Sequence, residues 1–189
     1  MKYIHILIFL MTHDLTFLKK CWEAEFIINK PFTWRRLFRR LRKNNNTFIA
    51  WWRLANAMYH HGNEKQKEIG LTLGQKVNIK YGIDIMVGTK IGYNFTIGHF
   101  SGIVIGASAV IGENFSIRQN TTIGGCNVKI GNNVYIGANS CVVSCTPNQP
   151  LVIGDNVTVG AMSFINKDIP DNCTVYTEKT NKIVIKQTN

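Results

Sequence analysis

No apolar run in this chain approaches the roughly 20 residues needed to cross a bilayer. The stretch Ile4–Met11 is apolar but short, and Thr12-His13-Asp14 follows it where a secretory signal would carry small residues for cleavage. A reducing cytoplasm is therefore the expected compartment. Paired zinc spacing is also missing. The five cysteines are Cys21, Cys126, Cys141, Cys145 and Cys173, and the C-x3-C formed by Cys141 and Cys145 has no His near it in sequence. Buried or free thiols fit better than a metal centre, and no metal is expected. Acidic residues are few, 11 against 22 Lys and Arg, for a formal charge of +11. The imbalance is local. Residues 1–80 hold 15 basic and 5 acidic side chains, and residues 81–189 hold 7 and 6.

What the chain has instead is a repeat. Gly-x-Asn followed by an apolar residue occurs at Gly92, Gly112, Gly131 and Gly154, each time after an Ile. Aliphatic residues recur every six positions: Ile85, Ile91, Ile97, Ile103; then Ile105, Ile111, Ile117, Ile123; then Ile130, Ile136, Val142; then Ile153, Val159, Ile165. A period of six fits neither a helix nor a plain strand. It fits a triangular coil of three hexads with one short strand per side, aliphatic residues inward and small residues at the corners. The fold class expected is mainly β, a parallel β-helix of hexapeptide repeats with an N-terminal α-helical segment.

A bare coil needs about 18 residues, yet the Gly-x-Asn starts fall at 92, 112, 131 and 154. Extra residues are therefore expected near Ile103–Ile105, near Gly125–Val128 and at Ser144–Pro150. Loops on a rigid prism are where sites tend to be built. The Asn-x-Ser/Thr triplets at Asn94, Asn114 and Asn156 resemble glycosylation sequons but read as part of the repeat.

The boundaries expected are 1–76 for a basic, mostly helical segment, 77–170 for the repeat, and 171–189 for a tail. In residues 33–42, Trp34, Leu37, Phe38 and Leu41 fall at helical spacing, with Arg35, Arg36, Arg39, Arg40 and Arg42 between them. A second helix fits 47–60, with Gly62 as a stop, and a third short one fits 63–73. The Arg-rich helix admits three readings: a solvated face of a packed helix, contact with an anionic membrane surface, or nucleic-acid binding. No nucleic-acid module accompanies the charge, so that partner is not expected.

Of five His, only His99 lies in the repeat, in Ile97-Gly98-His99-Phe100-Ser101-Gly102. An outward polar position in a hexad needs no His for folding. Asp84 stands 15 residues earlier, close to one coil, so the two can meet across adjacent coils. A carboxylate behind an imidazole fixes its tautomer and stabilises the cation formed on proton transfer. Such a dyad can act as a general base on an external hydroxyl. Nothing around Ser101 marks a nucleophile elbow.

Ile83-Asp84-Ile85, Lys90-Ile91-Gly92, His99-x-x-Gly102-Ile103-Val104-Ile105-Gly106, Ala109-Val110-Ile111-Gly112 and Ser116-Ile117-Arg118-Gln119-Asn120 leading to Thr122-Ile123-Gly124-Gly125 carry a family likeness. The stretch resembles the serine acetyltransferase branch of the left-handed β-helix acyltransferases, over about residues 77–170. The resemblance implies left-handed coils, a homotrimer with sites between subunits, and acetyl transfer from acetyl-CoA to a hydroxyl. By match, His99 is the general base, Asp84 the carboxylate behind it, and Gly125, Ala138 and Ala161 the small residues along the pantetheine arm. Lys167, Lys179, Lys182 and Lys186 are candidates for CoA phosphates.

Two departures bear on the acceptor. The family has an Asp before the catalytic His, where this chain has Gly98. It also carries a second His in a longer loop after the Gly-Gly, where this chain has the short Cys126-Asn127-Val128-Lys129. Those groups bind serine in the family. Their loss makes a sugar hydroxyl of a bacterial surface polysaccharide, capsule or O-antigen, the expected acceptor. The chain would then be closest in character to polysaccharide O-acetyltransferases, at the inner face of the cytoplasmic membrane through residues 33–42. The alternatives are a serine O-acetyltransferase of cysteine biosynthesis and a non-catalytic repeat scaffold.

Overall fold

The computed structural model describes residues 2–28, 30–44, 47–144 and 149–178. The N-terminal lobe is helical: α1 (Lys2–Thr12), α2 (Thr16–Trp22), a π-helical turn (Glu23–Ile27), α3 (Trp34–Lys43), α4 (Phe48–His61) and α5 (Glu64–Tyr81). Local chemistry sets several ends. The Thr33 hydroxyl accepts from the Arg36 N–H and caps α3. Asn63 and Gln66 form a reciprocal capping box on α5, which closes at Gly82 in the left-handed conformation.

Helix α5 runs well past the expected 63–73. Two interior glycines, Gly70 and Gly74, weaken the local helical signal, but packing requires them. A Cβ on Gly70 would come within 2.7 Å of the Ala55 carbonyl oxygen, and one on Gly74 would overlap Val87. The apolar run Ile4–Met11 is part of α1, whose Phe9 is buried in the lobe with Leu15, Leu18, Trp22 and Phe26. Among the described residues no helix is long and apolar enough to cross a membrane.

From Asp84 onward the chain winds through three parallel sheets in turn. Sheet A holds β1 (Asp84–Ile85), β4 (Val104–Ile105), β7 (Thr122–Gly125), β10 (Cys141–Ser144) and β13 (Phe164–Ile165). Sheet B holds β2 (Lys90–Ile91), β5 (Val110–Ile111), β8 (Val128–Ile130) and β11 (Leu151–Ile153). Sheet C holds β3 (Thr96–Gly98), β6 (Ser116–Arg118), β9 (Tyr135–Ile136), β12 (Thr158–Val159) and β14 (Thr174–Val175). The predicted aliphatic columns form the core: Ile85, Ile105, Ile123, Val142 and Ile165 stack in register down sheet A. This is the fold class expected from the repeat, parallel β-helix plus N-terminal helical segment.

One register expectation needs correcting. Ile103 and Ile105 are both fully buried, because residues two apart around a corner both face inward. Ile105, not Ile103, takes the place in sheet A beside Ile85 and Ile123. The extra residues therefore precede Ile103. Gly98 pairs with Arg118, and the Ser101 carbonyl accepts from the Asn120 N–H, which leaves His99–Phe100 as the inserted pair. Near Gly125 the extra residue lengthens β7, whose Gly125 pairs with Ser144 of β10. Most of the third insertion, residues 145–148 with Cys145, lies outside the described residues, as do Lys179, Lys182 and Lys186.

Candidate active site

The corner joining sheet C to sheet A forms a continuous edge. At this edge Asn120, Asn139 and Met162 of successive coils adopt left-handed backbone angles, with φ of 54°, 57° and 59°. His99 lies on the same edge at φ 64°, lifted out by the two-residue bulge. Its side chain is exposed. The other half of the bulge turns inward. Phe100 packs against Phe48 and Tyr81, with ring centroids 5.7 and 5.6 Å away. Tyr81 in turn accepts from the Thr47 N–H at the start of α4, 2.9 Å away. The aromatic contact pins the bulge to the helical lobe while the imidazole faces out. Phe100 carries no motif signal, and only packing against a remote helix reveals its part.

Asp84 begins sheet A in the first coil, on the sheet A side of the same edge, and is also exposed. No hydrogen bond or ion pair joins it to His99 among the described residues. The structure thus brings His99 and Asp84 to one edge without closing the contact. Catalytic hydrogen bonds often tighten only when substrate is bound.

Ala138 and Ala161 lie farther along this edge. The Met162 N–H donates to the Ala138 carbonyl, 2.7 Å away, so the two small residues stack coil upon coil. Gly125 does not join them. It ends β7, at the edge between sheets A and B, with φ 94°. A Cβ there would overlap the Ser144 backbone, so packing within the chain already requires this glycine. Lys167 is exposed beyond β13. No cluster of metal-ligating side chains occurs among the described residues.

The Arg-rich helix is partly committed to the lobe. The Arg36 guanidinium donates to the Pro31 carbonyl at 2.6 Å and Arg40 Nε to the Phe26 carbonyl at 3.1 Å. Leu37 is buried beneath it.

One residue with no functional signal of its own in the sequence stands beside Gly98, next to His99. Arg118 occupies the position in β6 paired with Gly98. Its Nε donates to the Tyr135 hydroxyl, 3.2 Å away, and its guanidinium lies over the Tyr135 ring.

No family model matches the chain. A serine acetyltransferase of Staphylococcus aureus is 31% identical over 151 aligned residues, covering 62% of this chain and 69% of the relative. The mitochondrial serine acetyltransferase 3 of Arabidopsis thaliana is 33% identical over 118 residues; there the match takes in 59% of this chain but only 29% of the relative's length. Among solved structures, a serine acetyltransferase of Neisseria gonorrhoeae in complex with serine superposes with a TM-score of 0.70 at 27% identity, covering 96% of this chain and 73% of that one. A serine acetyltransferase in complex with CoA gives a TM-score of 0.61 at 26% identity, covering 69% and 52%.

These matches overturn the sugar-acceptor expectation and the affinity to polysaccharide O-acetyltransferases that went with it. Every relative named above is a serine acetyltransferase. Two missing polar groups at one site are a local change, and they do not outweigh a likeness that runs through both the coils and the helical lobe. The left-handed coiling that the family resemblance implied is that of these structures. The chain belongs to the serine acetyltransferase family of left-handed β-helix acyltransferases.

Proposed function

We propose that this chain transfers an acetyl group from acetyl-CoA to the hydroxyl of serine, with His99 as general base. The observation that carries the reading is the bulge. The repeat is interrupted by two residues, one is the only His of the solenoid, and its partner Phe100 anchors the loop so that the imidazole stands free on the edge. His99 takes the hydroxyl proton as the oxygen attacks the thioester carbonyl. The carbonyl becomes a tetrahedral oxyanion, which backbone N–H groups of the groove stabilise. Collapse expels the CoA thiolate, and the proton held on His99 passes to that sulfur. Asp84 steadies the imidazolium in between.

The same reading calls for a homotrimer. His99, Asp84, Ala138 and Ala161 share the edge between sheets C and A, whereas Gly125 ends β7 at the edge between sheets A and B. A groove formed where the first edge of one copy meets the second edge of another collects all five, with the small residues leaving room for a pantetheine arm. We place the activity in the cytoplasm. Arg35, Arg39 and Arg42 are exposed on α3 and available to an anionic membrane surface.

Replacing His99 with Ala tests the assignment of the base. Acetylation of L-serine by acetyl-CoA, followed by mass spectrometry, is expected to fall by about 10²–10⁴-fold with an unchanged circular dichroism spectrum. Full transfer by that variant would remove His99 from the mechanism.

A further inference from the structure

The residue before the base is Gly98, and the space its side chain would take is filled from the next coil. A Cβ built on Gly98 would overlap the Arg118 guanidinium, lying 2.7 Å from Cζ and 2.9 Å from Cδ. Gly98 and Arg118 are paired neighbours in sheet C, so register sets the two side by side. The guanidinium is held in place by the Tyr135 hydroxyl through Nε and by the Tyr135 ring beneath it. Its Nη donors have no partner among the described residues, and the side chain is exposed on the outer face beside His99.

The strands of sheet C carry Thr96, Gly98, Ser116, Arg118, Tyr135, Thr158 and Thr174 as their polar or small residues, and no acid. A planar fork with free donors, paired with the residue that precedes His99, has the shape to receive a carboxylate in bidentate fashion. A hydroxy acid whose hydroxyl meets His99 carries its carboxylate only a few bonds away, within reach of a neighbouring side chain.

We propose that Arg118 anchors the carboxylate of the acceptor, and so makes this a site for small hydroxy acids that carry an anion next to the reacting hydroxyl. The proposal rests on His99 being the base for serine acetylation. Gly98 is part of the device, because any side chain there would displace the guanidinium. An acid at that position would pair with it and occupy the donors the acceptor needs.

The test compares L-serine with L-serinamide, which keeps the hydroxyl and the ammonium but replaces the carboxylate with a neutral amide. Acetyl transfer and direct calorimetric binding are both measured, on the wild-type protein and on Arg118→Gln, Arg118→Lys and Gly98→Asp. Charge-assisted hydrogen bonds are among the stronger ones. The wild-type KM for serinamide should therefore exceed that for serine by about tenfold or more. In Arg118→Gln the two KM values should converge within about threefold, with kcat for serine nearly unchanged, because the anchor touches the acceptor and not the reacting bond. Arg118→Lys should keep part of the preference, and Gly98→Asp should lose it. An unchanged serine-to-serinamide ratio in Arg118→Gln would overturn the anchor while leaving the serine acetylation reading intact. If neither the wild type nor any variant transfers acetyl to serine, that reading fails instead, and calorimetry decides the anchor alone. Serine binding lost in Arg118→Gln supports it; equal binding, or none in the wild type, refutes it.

Discussion

Arg53 enters the interior with a full charge and finds four acceptors. Its guanidinium reaches both Glu25 carboxylate oxygens, at 2.9 and 2.6 Å, and the carbonyls of Ile91 and Gly92, at 2.7 and 2.6 Å. The Phe95 N–H donates to the same carboxylate. Both side chains are almost fully buried, 3% and 1% exposed. Neither residue announces itself in the sequence. The pair joins α4 to a π-helical turn 28 residues away and then to a coil corner, and no local period records such a contact. Beside it, burial pushes the Cys21 thiol up to about 12, so that side chain packs as a small protonated group. Breaking the pair strands a buried charge. Glu25→Ala is expected to lower unfolding free energy by about 3–5 kcal/mol in urea titration. The double change Glu25→Leu with Arg53→Met should cost clearly less than either half, since it removes both charges together. Equal losses for single and double variants would show that the ion pair itself is not what matters.

The repeat was the most legible element because its cause is local. Each Asn of Gly-x-Asn turns the corner from sheet B to sheet C in the left-handed conformation, with φ between 57° and 62° at Asn94, Asn114, Asn133 and Asn156. Their side-chain amides form a ladder, Asn94 to Asn114 to Asn133 to Asn156 and on to Asn172, each link 2.8–2.9 Å. The sequon-like triplets therefore belong to the scaffold, as the spacing suggested. What the pattern could not place was the bulge, because Ile103 and Ile105 are equally apolar and equally buried; only stacking on the next coil tells them apart. Helix α5 outruns its sequence signal for the converse reason, since Gly70 and Gly74 look like breakers until α4 and Val87 are seen against them. At the site, His99 and Asp84 were visible as residue types at coil spacing, whereas Arg118 gained its meaning only from its register with Gly98. The ladder gives an ordered expectation. Asn133→Gly keeps the backbone angle and loses two amide bonds, costing about 1 kcal/mol. Asn133→Ala adds the left-handed penalty and should cost about 1–2 kcal/mol more. Chemical denaturation of the two variants reads the order directly, and Ala milder than Gly would contradict it.

At the scale of the whole molecule the helical lobe acts as a lid on the first coil. A solenoid end exposes unpaired strand edge and an open core, which natural proteins cover. Here α4 does so: Trp52 Nε1 donates to the Ile85 carbonyl at 3.0 Å, Asn56 bridges the Thr89 carbonyl and the Gly88 N–H, and Arg53 holds Ile91 and Gly92. Phe48, Trp52 and Val77 share one apolar cluster with the solenoid core from Ile85 to Ile165. The lid also carries the aromatic pair that pins Phe100, so the position of His99 depends on the lobe remaining seated. Two parts so joined should unfold together. All four tryptophans, at positions 22, 34, 51 and 52, lie in the lobe, so their fluorescence reports the helices and, through Trp52, their seat on the first coil. The amide I infrared band of the parallel strands reports the solenoid. Equal midpoints for the two signals in one denaturant titration are expected, with acetyl transfer lost at the same midpoint. A lobe that melts first, leaving the strand signal and the activity intact, would show that the lid neither closes the core nor positions His99.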